Sequence, residues 1–194
     1  MKLKFLLCSF QGYLRHIIES LVAEDVQLAN LVNSRPDDHF KSLYTYETKM
    51  ALLTRVASTA TGSEMLLESS LMIKMAEMTV FSSRPETSNA NFETMDDGFM
   101  PSALSRYQQI VFPGYKLCQA IVASLGSDNR SASSQVLHFI TAHECLVRVG
   151  LHYSNLFNLS GLQELALLTG VIARSISLDT SMLDSPELAS HLSR

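Results

Sequence analysis

FKSLYTYETKMALLTRVA, residues 40–57, carries apolar side chains on two sides of one helix. Leu43, Tyr46, Met50, Leu53 and Ala57 recur three and four apart, which draws a single stripe along the helix axis. Leu52 and Val56, four apart, fall nearly opposite that stripe, beside Thr45 and Lys49. A surface helix needs one apolar face, whereas a helix with two is held between neighbours. The stretch therefore predicts an inner helix of a stacked array, and it points toward scaffold rather than pocket.

The flanking sequence extends the same pattern. Residues 12–33 read as a helix or helix pair with Leu14, Ile17, Ile18, Leu21, Val22, Leu28, Leu31 and Val32 apolar, stopped by Ser34-Arg35-Pro36. A short pair, 64–68 and 71–81, precedes a stretch of different character. Residues 82–100 lack periodicity and are crowded with Ser, Thr, Asn, Asp, Pro and Gly, which predicts a mobile loop. A long helix is expected over 101–125, kinked or split by Pro113-Gly114. Another is expected over 134–152. Ser160 and Gln163 fit a capping box opening a last helix over 162–176. That helix reads as double-faced too, with Leu162, Leu165, Ile172 and Ile176 opposing Leu167, Leu168 and Val171. Residues 179–194 read as a frayed tail or short terminal helix, and residues 1–10 as an N-terminal lead. About seven helices without a sheet predict an all-α fold, an α-solenoid of ARM/HEAT-like stacked helix pairs over residues 11–178. A closed bundle is the alternative.

Composition narrows the function classes. The chain has 194 residues, 46% apolar and 18% charged, so a sizeable core is within reach. A formal charge of −4 with scattered Lys and Arg argues against a nucleic-acid surface. Cys8, Cys118 and Cys145 form an odd count without a Cys-x-x-Cys spacing, and Cys118 and Cys145 lie in apolar helical patterns. They read as buried reduced thiols in a cytosolic or nuclear protein. The apolar run at residues 5–8 is too short for a secretory signal, and no stretch approaches the ~18 apolar residues of a membrane span. The triplets at Asn129 and Asn158 are then accidental matches to a glycosylation signal.

Chemistry is mostly sought and not found. His138, His143 and Cys145 share one predicted helix, but His143 points to the apolar stripe. His143-Glu144 opens like a zinc-protease motif, yet Val147 stands where the second histidine belongs. His143 reads as a core histidine in need of one hydrogen-bond partner. Gly114-Tyr115-Lys116 lacks the glycine spacing of a phosphate loop, and Asp96-Asp97-Gly98 reads as a turn rather than a calcium site. Nine methionines read as gap-fillers of the interior, and Glu64 with Glu68 as a solvated face. No catalytic, cofactor-binding or metal residue is assigned, and no enzyme activity, cofactor or small-molecule substrate is expected.

Several blocks, taken in order, carry a resemblance. They are Gly12-Tyr13-Leu14 with Ile17-Ile18-Glu19-Ser20-Leu21, then LYTYETKMALLTRVA at 43–57, Glu64-Met65-Leu66-Leu67-Glu68 and Arg84-Pro85-Glu86. Phe99-Met100-Pro101, Arg106-Tyr107-Gln108-Gln109-Ile110, Leu117-Cys118-Gln119-Ala120-Ile121 and Gln135-Val136-Leu137-His138-Phe139-Ile140 follow, and LQELALLTGVI at 162–172 completes the set. Together they resemble the very large α-helical scaffold nucleoporins of the nuclear pore's inner ring, over residues 11–177, near the C-terminal end of that family's chains. Residues 1–10 match nothing in the family pattern, and the match fades after Asp179. The resemblance implies a fragment, a truncated gene model or a short isoform. It also implies a structural constituent of the inner ring that supports pore assembly and nucleocytoplasmic transport at the nuclear envelope. The implied partners are other scaffold and linker nucleoporins, held through short helical segments. Direct nucleic-acid binding and membrane insertion are not expected. The competing expectation is a cytosolic ARM/HEAT-like adaptor without pore association.

Overall fold

The structure, a computed structural model, describes residues 2–33, 40–85, 101–126, 128–143, 146–148 and 159–176, with side chains from Phe10 onward. The predicted loop lies outside the described residues from 86 to 100, and the predicted tail lies outside them altogether. Among the described residues the regular elements are all helical: α1 (Lys2–Ala23), α2 (Asp25–Asn33), α3 (Phe40–Ala57), α4 (Ala60–Glu68), α5 (Leu71–Glu77), a 3-10 turn (Thr79–Ser82), α6 (Ala103–Leu125), α7 (Arg130–Ala142) and α8 (Leu159–Ser175). The all-α, solenoid-like reading of the sequence stands. Residues 2–10, expected as a lead, are part of α1.

Local chemistry sets the breaks. Thr59 caps α4 by accepting from the Gly62 amide at 3.1 Å, and Ser102 and Asn129 cap α6 and α7 in the same way. Ser70, at φ 59°, takes the left-handed conformation that turns α4 into α5. Gly126, at φ 82°, releases the chain from α6, a conformation that glycine adopts without strain.

The α3 stripe is buried as its spacing requires: Leu43, Tyr46, Met50, Leu53 and Ala57 are all at or near zero exposure. The opposite pair behaves differently. Leu52 is 47% exposed, while Val56 is half-buried and packs against the core, so within this chain the second side of α3 is covered only in part. The helix held between neighbours is α6. Its buried positions run from Arg106 to Val122 over more than half of its circumference, and α3 and α8 are its most extensive contacts. Both sequence stripes assigned as double faces belong to helices that flank α6.

Pro113 does not split α6, which runs unbroken from Ala103 to Leu125. Gly114 beside it has a packing role, since a Cβ there would stand 3.2 Å from the Phe81 ring. α7 starts at Arg130 and stops at Ala142, because Asn129 supplies an earlier cap and His143 turns off into the core. α8 is already helical at Leu159, so Ser160 lies in its first turn and not ahead of it. On α8 the buried positions are Gly161, Glu164, Leu168, Val171 and Ser175, while Leu165 is only half-buried.

Candidate docking surface

Polar side chains inside the stack act as cross-helix staples. Arg106 of α6 donates to the carbonyls of Leu31 (2.9 Å) and Val32 (3.4 Å) and, through its other nitrogen, to Pro101 (2.6 Å). Those carbonyls end α2, so a guanidinium caps its negative pole. At the other end of α2, the Asp25 carboxylate accepts from the amides of Thr79 and Val80 and from the Thr79 hydroxyl at 2.7–2.9 Å. One acid thereby caps the 3-10 turn that α2 packs against. Tyr46 and Tyr107 donate their buried hydroxyls to the carbonyls of Ile110 (2.8 Å) and Phe81 (2.7 Å).

The strongest staple is Glu164 of α8. Both of its oxygens meet the Arg84 guanidinium, and Gln108 of α6 donates to it at 3.1 Å. Glu164 is buried, and Arg84 lies over the Tyr107 ring. Three segments far apart in sequence are clamped by one carboxylate. Periodicity counts apolar residues, so it passed over Glu164, Gln108 and Arg106; their place inside otherwise apolar stripes was the available signal.

Groups that resemble reactive centres are consumed by the fold. His143 donates from Nε2 to the Met75 carbonyl at 3.2 Å, which leaves Nδ1 to accept from the Ser82 hydroxyl at 2.9 Å. The core histidine finds two partners, and its ring packs against Phe81 and Phe139. Burial pushes its pKa below the ordinary histidine value, with the Met75 bond and Asp25 opposing. Burial likewise pushes the Tyr46 phenol and the Cys118 thiol up, so both stay protonated. His138 is exposed and turned away from His143, and Cys145 lies outside the described residues, as does Asp96-Asp97-Gly98. Among the described residues no group of three or more His, Cys, Asp or Glu converges on a metal position, and no helix is long and apolar enough to cross a membrane. Met50, Met65, Met72, Met75 and Met78 fill the interior, and Glu64 and Glu68 are exposed.

What remains is surface. A groove of about 550 Å³ runs along the outer side of α3, lined by Lys41, Tyr44, Thr45, Thr48 and Lys49. Lys49 is anchored there by Glu24 (2.7 Å) and by the Ser20 hydroxyl and carbonyl, which fixes α3 against the α1–α2 junction. The exposed Tyr44 ring and Leu52 continue the same outer face. The depression is shallow and open, and its side chains are lysine, threonine and one tyrosine, a surface rather than a cleft.

Residues 5–176 match the family model described as nuclear pore complex scaffold, nucleoporins 186/192/205. The chain is 36% identical over 196 aligned positions to the human nuclear pore complex protein Nup205, covering 96% of this chain. It is 35% identical over 188 positions to the Drosophila melanogaster protein of the same name, covering 94%. The chain spans about a tenth of the length of these relatives, 10% and 9% respectively.

Proposed function

The chain belongs to the nuclear pore complex scaffold family of nucleoporins 186, 192 and 205, and we propose that it is a structural segment of the pore's inner ring. The observation that carries this reading is the match over residues 5–176, which takes in α2 to α8 whole and α1 from its fourth residue. The physical arrangement supports it. Buried polar groups are committed to holding helices in fixed relation, through Arg106, Asp25, His143 and the Glu164 clamp. A scaffold is served by that kind of interior, because specific polar contacts between helices favour one arrangement of them. An enzyme would instead leave such groups facing a cleft.

Residues 11–178 act in this reading as one helical unit at the nuclear envelope, serving pore assembly and nucleocytoplasmic transport. Its partners are other scaffold nucleoporins and linker nucleoporins, whose short helical segments lie in surface grooves such as that beside α3. No cofactor, small-molecule substrate, nucleic-acid contact or membrane insertion enters the proposal. Imaging the endogenously tagged gene product beside a pore marker tests it. A nuclear rim signal coincident with pores is expected. A diffuse cytosolic signal in cells with intact pores would overturn the pore assignment and favour the cytosolic adaptor.

A further inference from the structure

The α8 flank that does not meet α6 is an uncharged stripe. Leu162, Leu165, Thr169, Ile172 and Ile176 follow one another at spacings of three and four, and Ala166 and Ala173 run beside them seven apart. This is the repeat of a two-helix seam. Leu162 and Ile176 are 44% and 50% exposed, Ala166, Thr169 and Ala173 are exposed, and Leu165 and Ile172 are half-buried. The central position adds no polar demand, because the Thr169 hydroxyl donates to the Leu165 carbonyl of its own helix at 2.7 Å.

The stripe is symmetric about Thr169. Leu162 and Ile176 stand seven residues to either side, Leu165 and Ala173 four, Ala166 and Ile172 three. Two copies of α8 laid antiparallel, with a two-fold axis through Thr169, put Leu162 of one beside Ile176 of the other. They also put Leu165 beside Ile172 and Ala166 beside Ala173, so large residues line one edge and alanines the other. With threonine at the axis and alanines along one edge, the helix axes stand about 10 Å apart. We propose that this face of α8 is a self-association surface, occupied by α8 of a second copy of this chain in antiparallel register. The proposal goes beyond the scaffold reading and does not depend on it.

The size of the contact sets its strength. About 22 Å of helix on each copy buries on the order of 800 Å² in total, the range of weak and reversible contacts. The dimer is therefore concentration-dependent.

Sedimentation velocity on the 194-residue chain, from about 5 to 300 µM, reads the association directly. The mass is expected to rise from the 21.5 kDa monomer toward twice that value. At the axis the two residue-169 Cα atoms stand roughly 5 Å apart, so Thr169→Cys is expected to give a 169–169 disulfide under mild oxidation. Ala173→Glu places a charge in the seam at an exposed position and is expected to leave a folded monomer with unchanged helicity. A chain that stays monomeric throughout overturns the proposal, whether the cysteine at 169 is freely alkylated or shielded by the chain's own residues. Cross-linking of that cysteine only to other cysteines, or undiminished association of Ala173→Glu, overturns it too.

Discussion

Gly62→Ala is the most informative single substitution, because helix propensity and packing give opposite signs. Gly62 lies in the first turn of α4, where alanine is worth up to about 1 kcal/mol over glycine in a free helix. A Cβ at Gly62 would stand 2.0 Å from the Val56 carbonyl oxygen and 2.8 Å from Thr59 Oγ1. Val56 is in the last turn of α3, so the clash is backbone against backbone and no rotamer change relieves it. Moving α4 away by an ångström or more breaks the Thr59 cap, about 1 kcal/mol, and strains the packing of Met65 and Leu66, about 1–3 kcal/mol. The net expectation is a loss of about 1–3 kcal/mol, or about 2–12 °C in Tm for a chain of this size. Gly12→Ala is the matched control. Gly12 is a helical position in α1 with nothing within 4 Å of a built Cβ, so the propensity gain of about 0.5–1 kcal/mol is expected in full. Urea unfolding followed by far-UV circular dichroism reads both. If Gly62→Ala is as stable as the parent chain while Gly12→Ala gains stability, α4 is not seated against the end of α3, and the reasoning fails.

Three further outcomes are expected. Glu164→Ala should cost about 3–5 kcal/mol, since it strands the Arg84 guanidinium and the Gln108 amide. The double change Arg84→Met with Glu164→Met should cost clearly less in the same urea titration; equal losses would show that the ion pair is not a unit. His143 binds its proton more weakly in the fold than in the unfolded chain, whose value is about 6.5, so the unfolded state takes up more protons as pH falls. Stability should therefore decline from about pH 7.5 to 5.5, and His143→Gln should flatten that slope; parallel slopes would assign it to other groups. Leu168→Asp should abolish cooperative unfolding by burying an unpaired carboxylate, whereas Leu165→Asp, at a half-buried site, should be milder. Indistinguishable melting curves for the two would misplace the buried face of α8.

Helical periodicity made the core face of α3 legible at every position, because five apolar residues at alternating spacings have one geometric solution. The second face is covered only in part, and it rested on thinner grounds. Leu52 and Val56 are two residues, and two apolar residues four apart occur on solvated helices as well. α6 was the harder case. Its buried arc includes Arg106, Gln108 and Gly114, which a count of apolar residues scores as surface or break. Those residues are inside because their partners are a helix end, a carboxylate and an aromatic ring supplied by other segments. The sequence also offers Glu164 only as the third residue of an expected helix, the sixth of the observed one. Nothing local records that Arg84, eighty positions earlier, will neutralise it. Capping was poorly legible: the one cap expected, Ser160, lies inside its helix, while the caps at Thr59, Ser102 and Asn129, and that of Asp25 on another element, went unread.

The central place of α6 has a consequence for synthesis on the ribosome. While residues 103–125 are still inside the exit tunnel, α1–α5 exist without the rod against which α3 closes. The Tyr46 hydroxyl waits for a carbonyl at Ile110, and the Asp25–Thr79 clasp joins two pieces that still lack a floor. The nascent half must then be shielded for the time needed to make forty more residues. A transcript that ends before residue 125 leaves the apolar face of α3 without the helix it packs on.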